Sequence, residues 1–158
     1  MLGVFTKVSA AQLPADSLLQ SRVAEDDFLD CYRAKCALPA RVAADEVTRF
    51  PDWAQVLVAL RNKLVAPLGL KGASDVEVAH AGADHVGIFP IEAQNDQEVI
   101  AGFNDHHLDF RVSIYSTGEH VYLSTWVHRH NLTGRLYLAT IMPFHVLIIR
   151  DALRRVAG

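Results

Sequence analysis

The chain has 158 residues, of which 51% are hydrophobic and 21% charged, with a formal net charge of −3. That is enough apolar material for one packed domain, so predominant disorder is excluded. The acidic balance argues against general nucleic-acid binding, which needs a basic face. The two cysteines, Cys31 and Cys36, form neither a CxxC nor a disulfide framework, and are expected to be reduced thiols.

Residues 1–23 form a mixed leader with a short helical turn after Asp16. Met1–Ala11 has no unbroken apolar core and does not read as a secretory signal, so a cytoplasmic setting is expected. Residues 24–37 read as a strand, with Phe28, Tyr32, Ala34 and Cys36 on one parity. Two helices are expected over 40–68. Ala40–Arg49 forms the first, and Trp53, Val56, Leu57, Leu60 and Leu64 mark the apolar stripe of the second. Residues 71–83 look like a loop, and Arg61 is expected to pair with a carboxylate.

Residues 85–130 lay out as a four-stranded meander, about 85–92, 97–104, 107–115 and 120–130, with turns at 93–96, Asp105-His106 and Thr117-Gly118. The tightest turns align Phe103 with Leu108 and Leu108 with Val127. One face then carries Val86, Ile88, Pro90, Ala101, Phe110, Val112, Ile114 and Leu123. The other face aligns His85, Asn104, His107 and His128, then Gly87, Gly102, Asp109 and Trp126, then Phe89, Ile100, Arg111 and Ser124. A polar outer face is what a half-solvated antiparallel sheet shows without any function. Read functionally, Asp109, Arg111, His107, His128 and Trp126 are candidate binding residues there. No third ligand is fixed beside His128 and His130, so no metal is assigned.

Residues 133–157 form a long terminal helix that starts near Thr133 and is kinked or split at Pro143. From Leu136 to Ile149 it is apolar nearly all round, so it needs cover on more than one side. That run is shorter than the roughly 20 residues of a membrane span, and no membrane association is expected. His145, Tyr137 and Thr140 on this helix, with Phe110 and Val112 on the sheet, are the second set of candidate binding residues. A bland alternative is a His145 bonded to backbone.

The order of strand, two helices, meander and long final helix resembles the helix-grip folds, the birch-allergen, START and polyketide-cyclase superfamily. That resemblance implies an α+β domain whose antiparallel sheet packs on the kinked C-terminal helix, with an apolar cavity between them. The strings Asp26-Asp27-Phe28-Leu29-Asp30, Phe50-Pro51-Asp52-Trp53, Asp105-His106-His107-Leu108-Asp109-Phe110-Arg111 and His130-Asn131-Leu132-Thr133-Gly134-Arg135 are similar to a bacterial family of domains of unknown function. Its relatives also occur fused behind NmrA-like, short-chain-dehydrogenase-type domains. This second resemblance implies no activity.

Three readings follow. The first is a module binding a small apolar molecule between sheet and final helix. The second is a cyclase- or isomerase-like enzyme using His145 or the Asp109–His107 group for proton transfer. The third is a structural homodimer buried through the final helix or the Trp126 and Tyr122 face. No phosphate loop, nucleophile elbow or HExxH string is present, and no cofactor is expected.

Overall fold

The computed structural model describes residues 8–49, 84–86, 89–104 and 107–157. The fold is α+β. The described strands are β1 (Val8–Ala10), β2 (Phe28–Lys35), β3 (His85–Val86), β4 (Phe89–Gln94), β5 (Glu98–Asn104), β6 (Leu108–Ser116) and β7 (His120–Arg129). They form one antiparallel sheet in the order β1-β2-β7-β6-β5-β4-β3. Two described α-helices, α1 (Ala40–Val47) and α2 (Leu132–Val156), pack on one face. The second expected helix and the 71–83 loop lie outside the described residues.

Alternation decides the faces. Val99, Ala101, Val112, Ile114, Val121 and Leu123 pack into the main core with Ala43, Ala44, Ile149, Ala152 and Leu153 from the helices. In α1 the buried residues Ala40, Ala43, Ala44 and Val47 recur at helical spacing, and small side chains let it lie close to the sheet. Each fully buried aliphatic side chain contributes about 1.5–3 kcal/mol relative to exposure.

The pairing differs from the tightest-turn expectation. Phe103 pairs with Phe110, and Val112 with Thr125, so both β5–β6 and β6–β7 are displaced by two residues. A two-residue slip keeps every side chain on its face, so the expected apolar face holds. The first meander strand is corrected more deeply. Residues 85–86 and 89–94 are two paired strands, and a register shift falls between Ile91 and Ala93. Phe89 and Ile91 therefore join the main core, while Ala93 packs on the opposite face.

Helix α2 runs unbroken through Pro143, rather than as two pieces. Its N-cap is Asn131, whose Oδ1 accepts from Gly134 N–H at 3.0 Å, not Thr133. A Cβ at position 134 would run into the His107 carbonyl, so glycine is what lets the helix start against the β5–β6 connection. By length and composition α2 is apolar enough to cross a membrane, with a mean hydropathy of 1.5 in its richest window. The apolar run Leu136–Ile149 is thus part of a longer helix.

The outer sheet face is not solvated as expected. The segment between β1 and β2, with a 3-10 turn at Leu18–Ser21, lies over it. Leu19 packs on Ile100 and Trp126 there. Beneath it Glu98 is 0% exposed and accepts from Ser17 Oγ at 2.5 Å, from Leu18 N–H at 2.7 Å and from Ser113 Oγ. Three donors replace water around this carboxylate.

Candidate functional site

On the helix-facing side, β2 carries Phe28, Asp30, Tyr32 and Ala34 on the parity that faces the core. Asp30 is a carboxylate among apolar neighbours. His145, on the inner side of α2, places Nε2 3.2 Å from Asp30 Oδ2, and both side chains are about one-sixth exposed, 16% and 15%. The other carboxylate oxygen accepts from Thr125 N–H at 3.2 Å. The His145 ring meets the Phe28 ring edge-on at 6.4 Å. Arg150 caps the same strip, its guanidinium 5.2 Å from the Tyr32 ring centroid. Thr125 pairs across from Asp30, and its Oγ1 is buried with no hydrogen-bond partner among the described residues. A buried polar group is normally paired, so an orphan hydroxyl beside this pair is the exception that invites a ligand atom.

The outer face carries a second polar group. Asp27 accepts from Trp126 Nε1 at 2.9 Å, from His128 Nδ1 at 2.6 Å and from Ala24 N–H at 2.9 Å. Burial opposes its ionisation, but the His128, Ala24 and Trp126 hydrogen bonds outweigh that and hold the carboxyl below its usual range. His128 lies parallel to Trp126 and meets His130 edge-on at 5.2 Å. His130 in turn sits 2.8 Å from Asp109. Arg22 lies over Trp126, and Arg22 and Arg111 both pair with Glu92. Burial lowers the pKa of both guanidinium groups, and Arg111 lowers that of Arg22 further. Deeper on this face the Tyr115 hydroxyl donates to Asp16 at 2.7 Å, which with burial pushes its pKa up to about 12.

Residues 23–152 match the family described as Protein of unknown function (DUF2867). The chain belongs to that family. No curated protein and no solved structure matches it.

In this DUF2867 member the expected site residues fall into separate places. Asp109, Arg111, Trp126 and His128 do gather on the outer face. However, Asp109 pairs with His130 and Arg111 with Glu92, rather than with each other. His107 does not oppose His128, because the register places Asp109 there; His107 instead lies against Asn131, Nδ1 to Nδ2 3.0 Å. At Gly102 the neighbouring strand leaves no open backbone, since a Cβ there would strike the Phe110 carbonyl. On the helix side, His145 meets Asp30. Phe110 stacks edge-on with Phe89 and Phe103, and Val112 is buried in the main core. Tyr137 packs with Leu108, Val127 and Leu138. Thr140 is exposed, and its hydroxyl donates to the Leu136 carbonyl at 2.8 Å, so it does not join the group.

Sequence reasoning missed Asp30, Thr125, Asp27 and Glu98 as functional candidates. Asp30 carried a signal: it is the one acid on the apolar parity of β2. Among the described residues no group of His, Cys, Asp and Glu is arranged to hold a metal ion. One open depression of about 330 Å³ lies on the outer side of β2, lined by Ala11, Gln12, Leu13, Gln20, Leu29, Asp30 and Cys31.

Proposed function

We propose that this domain binds a small, mainly apolar molecule between the sheet and α2, with one polar end held by Asp30, His145 and Thr125. The carrying observation is the buried Thr125 hydroxyl, unpaired among the described residues, beside the Asp30–His145 pair. Ligand sites are mostly apolar with a few placed polar groups, and this strip has that composition: Phe28 and Tyr32 flank the pair. A sheet packed on one long C-terminal helix is also where helix-grip domains would hold a ligand. The same pair supports a second reading, proton transfer at that polar end. Asp30 accepts from His145 Nε2 and so orients the ring, leaving Nδ1 as the basic nitrogen.

The test is native mass spectrometry of the purified chain, with titration by the apolar fluorophore N-phenyl-1-naphthylamine. A retained adduct or saturable one-to-one binding is expected. His145→Phe and Thr125→Val should each weaken probe binding roughly tenfold, the order expected for losing a polar anchor in a buried site. An absence of both adduct and saturable binding, or variants that bind as tightly as the parent, overturns the reading.

A further inference from the structure

The hydrogen bonds around Asp30 define which polar group can join them. An ionised carboxylate only accepts, so the 3.2 Å contact with Asp30 Oδ2 puts the proton on His145 Nε2. In the neutral ring Nδ1 is then a lone-pair acceptor. Asp30 is engaged at both oxygens, by His145 and by the Thr125 N–H. Thr125 is directly opposed to Asp30 in the register, so their Cβ atoms lie roughly 4.5–5.5 Å apart. Its hydroxyl can donate once and accept twice, yet among the described residues it does neither. At 2% exposure a hydroxyl is normally paired. The site therefore offers one acceptor nitrogen and one hydroxyl hydrogen.

Charge narrows the choice. Asp30 is negative, and the Arg150 guanidinium lies over the Tyr32 ring, two residues further along β2. A ligand carboxylate would only accept, and would bring its charge against Asp30 in a largely buried setting. A ligand ammonium would find both Asp30 oxygens engaged and the Arg150 cation close by. A carbonyl or ether could accept from Thr125 but would give His145 nothing.

We infer that the polar end held at this site is a neutral hydroxyl, of an apolar alcohol or phenol, which donates to His145 Nδ1 and accepts from Thr125 Oγ1. The inference rests on the proposed ligand site between sheet and α2, and names the chemical class of its occupant.

Three naphthalenes of similar size isolate the head group: 2-naphthol, 2-methoxynaphthalene and 2-naphthoate. Each is used at neutral pH to displace N-phenyl-1-naphthylamine from the full chain. 2-Naphthol should bind roughly tenfold tighter than the methyl ether, the increment of one hydrogen bond in a buried site, and at least roughly thirtyfold tighter than the carboxylate. His145→Phe should abolish the preference for naphthol over the ether, while the ether's own affinity stays within about threefold. His145→Gln, which can donate to Asp30 and still offer a carbonyl to the ligand, should keep most of that preference. Thr125→Val should weaken naphthol and ether alike, because both accept from that hydroxyl. Competition by all three with equal affinity, or a carboxylate that binds as tightly as the alcohol, overturns the inference and leaves the ligand site standing. A naphthol preference that survives in His145→Phe overturns it as well. If the fluorophore never saturates and none of the three competes, the ligand site itself falls, and the inference with it.

Discussion

Asp27 accepts three hydrogen bonds while its side chain is only 3% exposed, and one donor is the indole of Trp126. Removing the acceptor leaves the indole N–H of the buried Trp126 without its partner. Asp27→Asn turns one acceptor oxygen into an amino group that faces those donors, and should cost about 1–3 kcal/mol at neutral pH. The pH dependence follows from the depressed carboxyl. Its folded value lies below the ordinary 3.8, so its contribution is present in full above that value and is lost as pH falls through the folded pKa. Urea titrations followed by tryptophan fluorescence should show a constant gap between the parent and Asp27→Asn at neutral and mildly acid pH. The gap should shrink below about pH 4. A gap that grew toward low pH would contradict the assignment. Nothing in the periodicity marks Asp27 for this role, because its partners are about a hundred residues away in sequence.

At the scale of elements, β5 and β6 depend on one glycine. Gly102 has φ +146°, and a Cβ there would collide with the Phe110 carbonyl and the Arg111 backbone of the neighbouring strand. Gly102→Ala must strain the backbone and also part the strands. A loss of about 1–3 kcal/mol or more is expected, read as a fall of several degrees in the thermal midpoint. An unchanged midpoint would show that the ladder has room to give. The same strands explain what could be read in advance. Val99, Ala101, Val112, Ile114 and Leu123 alternate cleanly, and alternation survives an even slip, so the core face was legible although the pairing was off by two. Strand β4 was not, because the bulge between Ile91 and Ala93 turns Phe89 and Ile91 inward, and a bulge has no signature in a pattern of period two. Of the candidate site, His145 was legible as a polar residue on an apolar helix. Its partner Asp30 was passed over as part of a mixed strand, and the orphan state of Thr125 exists only in three dimensions.

For the molecule as a whole, the two faces of the sheet are covered by different means. Helices α1 and α2 cover one, while an irregular stretch near the N-terminus covers the other. The family match begins at residue 23, yet Ser17, Leu18 and Leu19 supply two of the three donors to Glu98 and the lid over Trp126. A chain begun at residue 24 should therefore expose Ile100 and Trp126 and leave Glu98 with Ser113 as its remaining donor of the three. We expect it to bind the dye 1-anilinonaphthalene-8-sulfonate strongly, and to melt at least about 5 °C below the full chain, since the buried Leu19 contact and two hydrogen bonds to a carboxylate are lost together. A truncated chain with an unaltered melting point would show that this cover is dispensable.

The serine that satisfies Glu98 precedes it by 81 residues. During synthesis the donor segment leaves the ribosome long before the acid it must meet, and before the strand bearing the tryptophan it shelters. It can find no lasting seat until β7 has emerged and paired. A segment made early is thus seated late, once β5, β6 and β7 have paired.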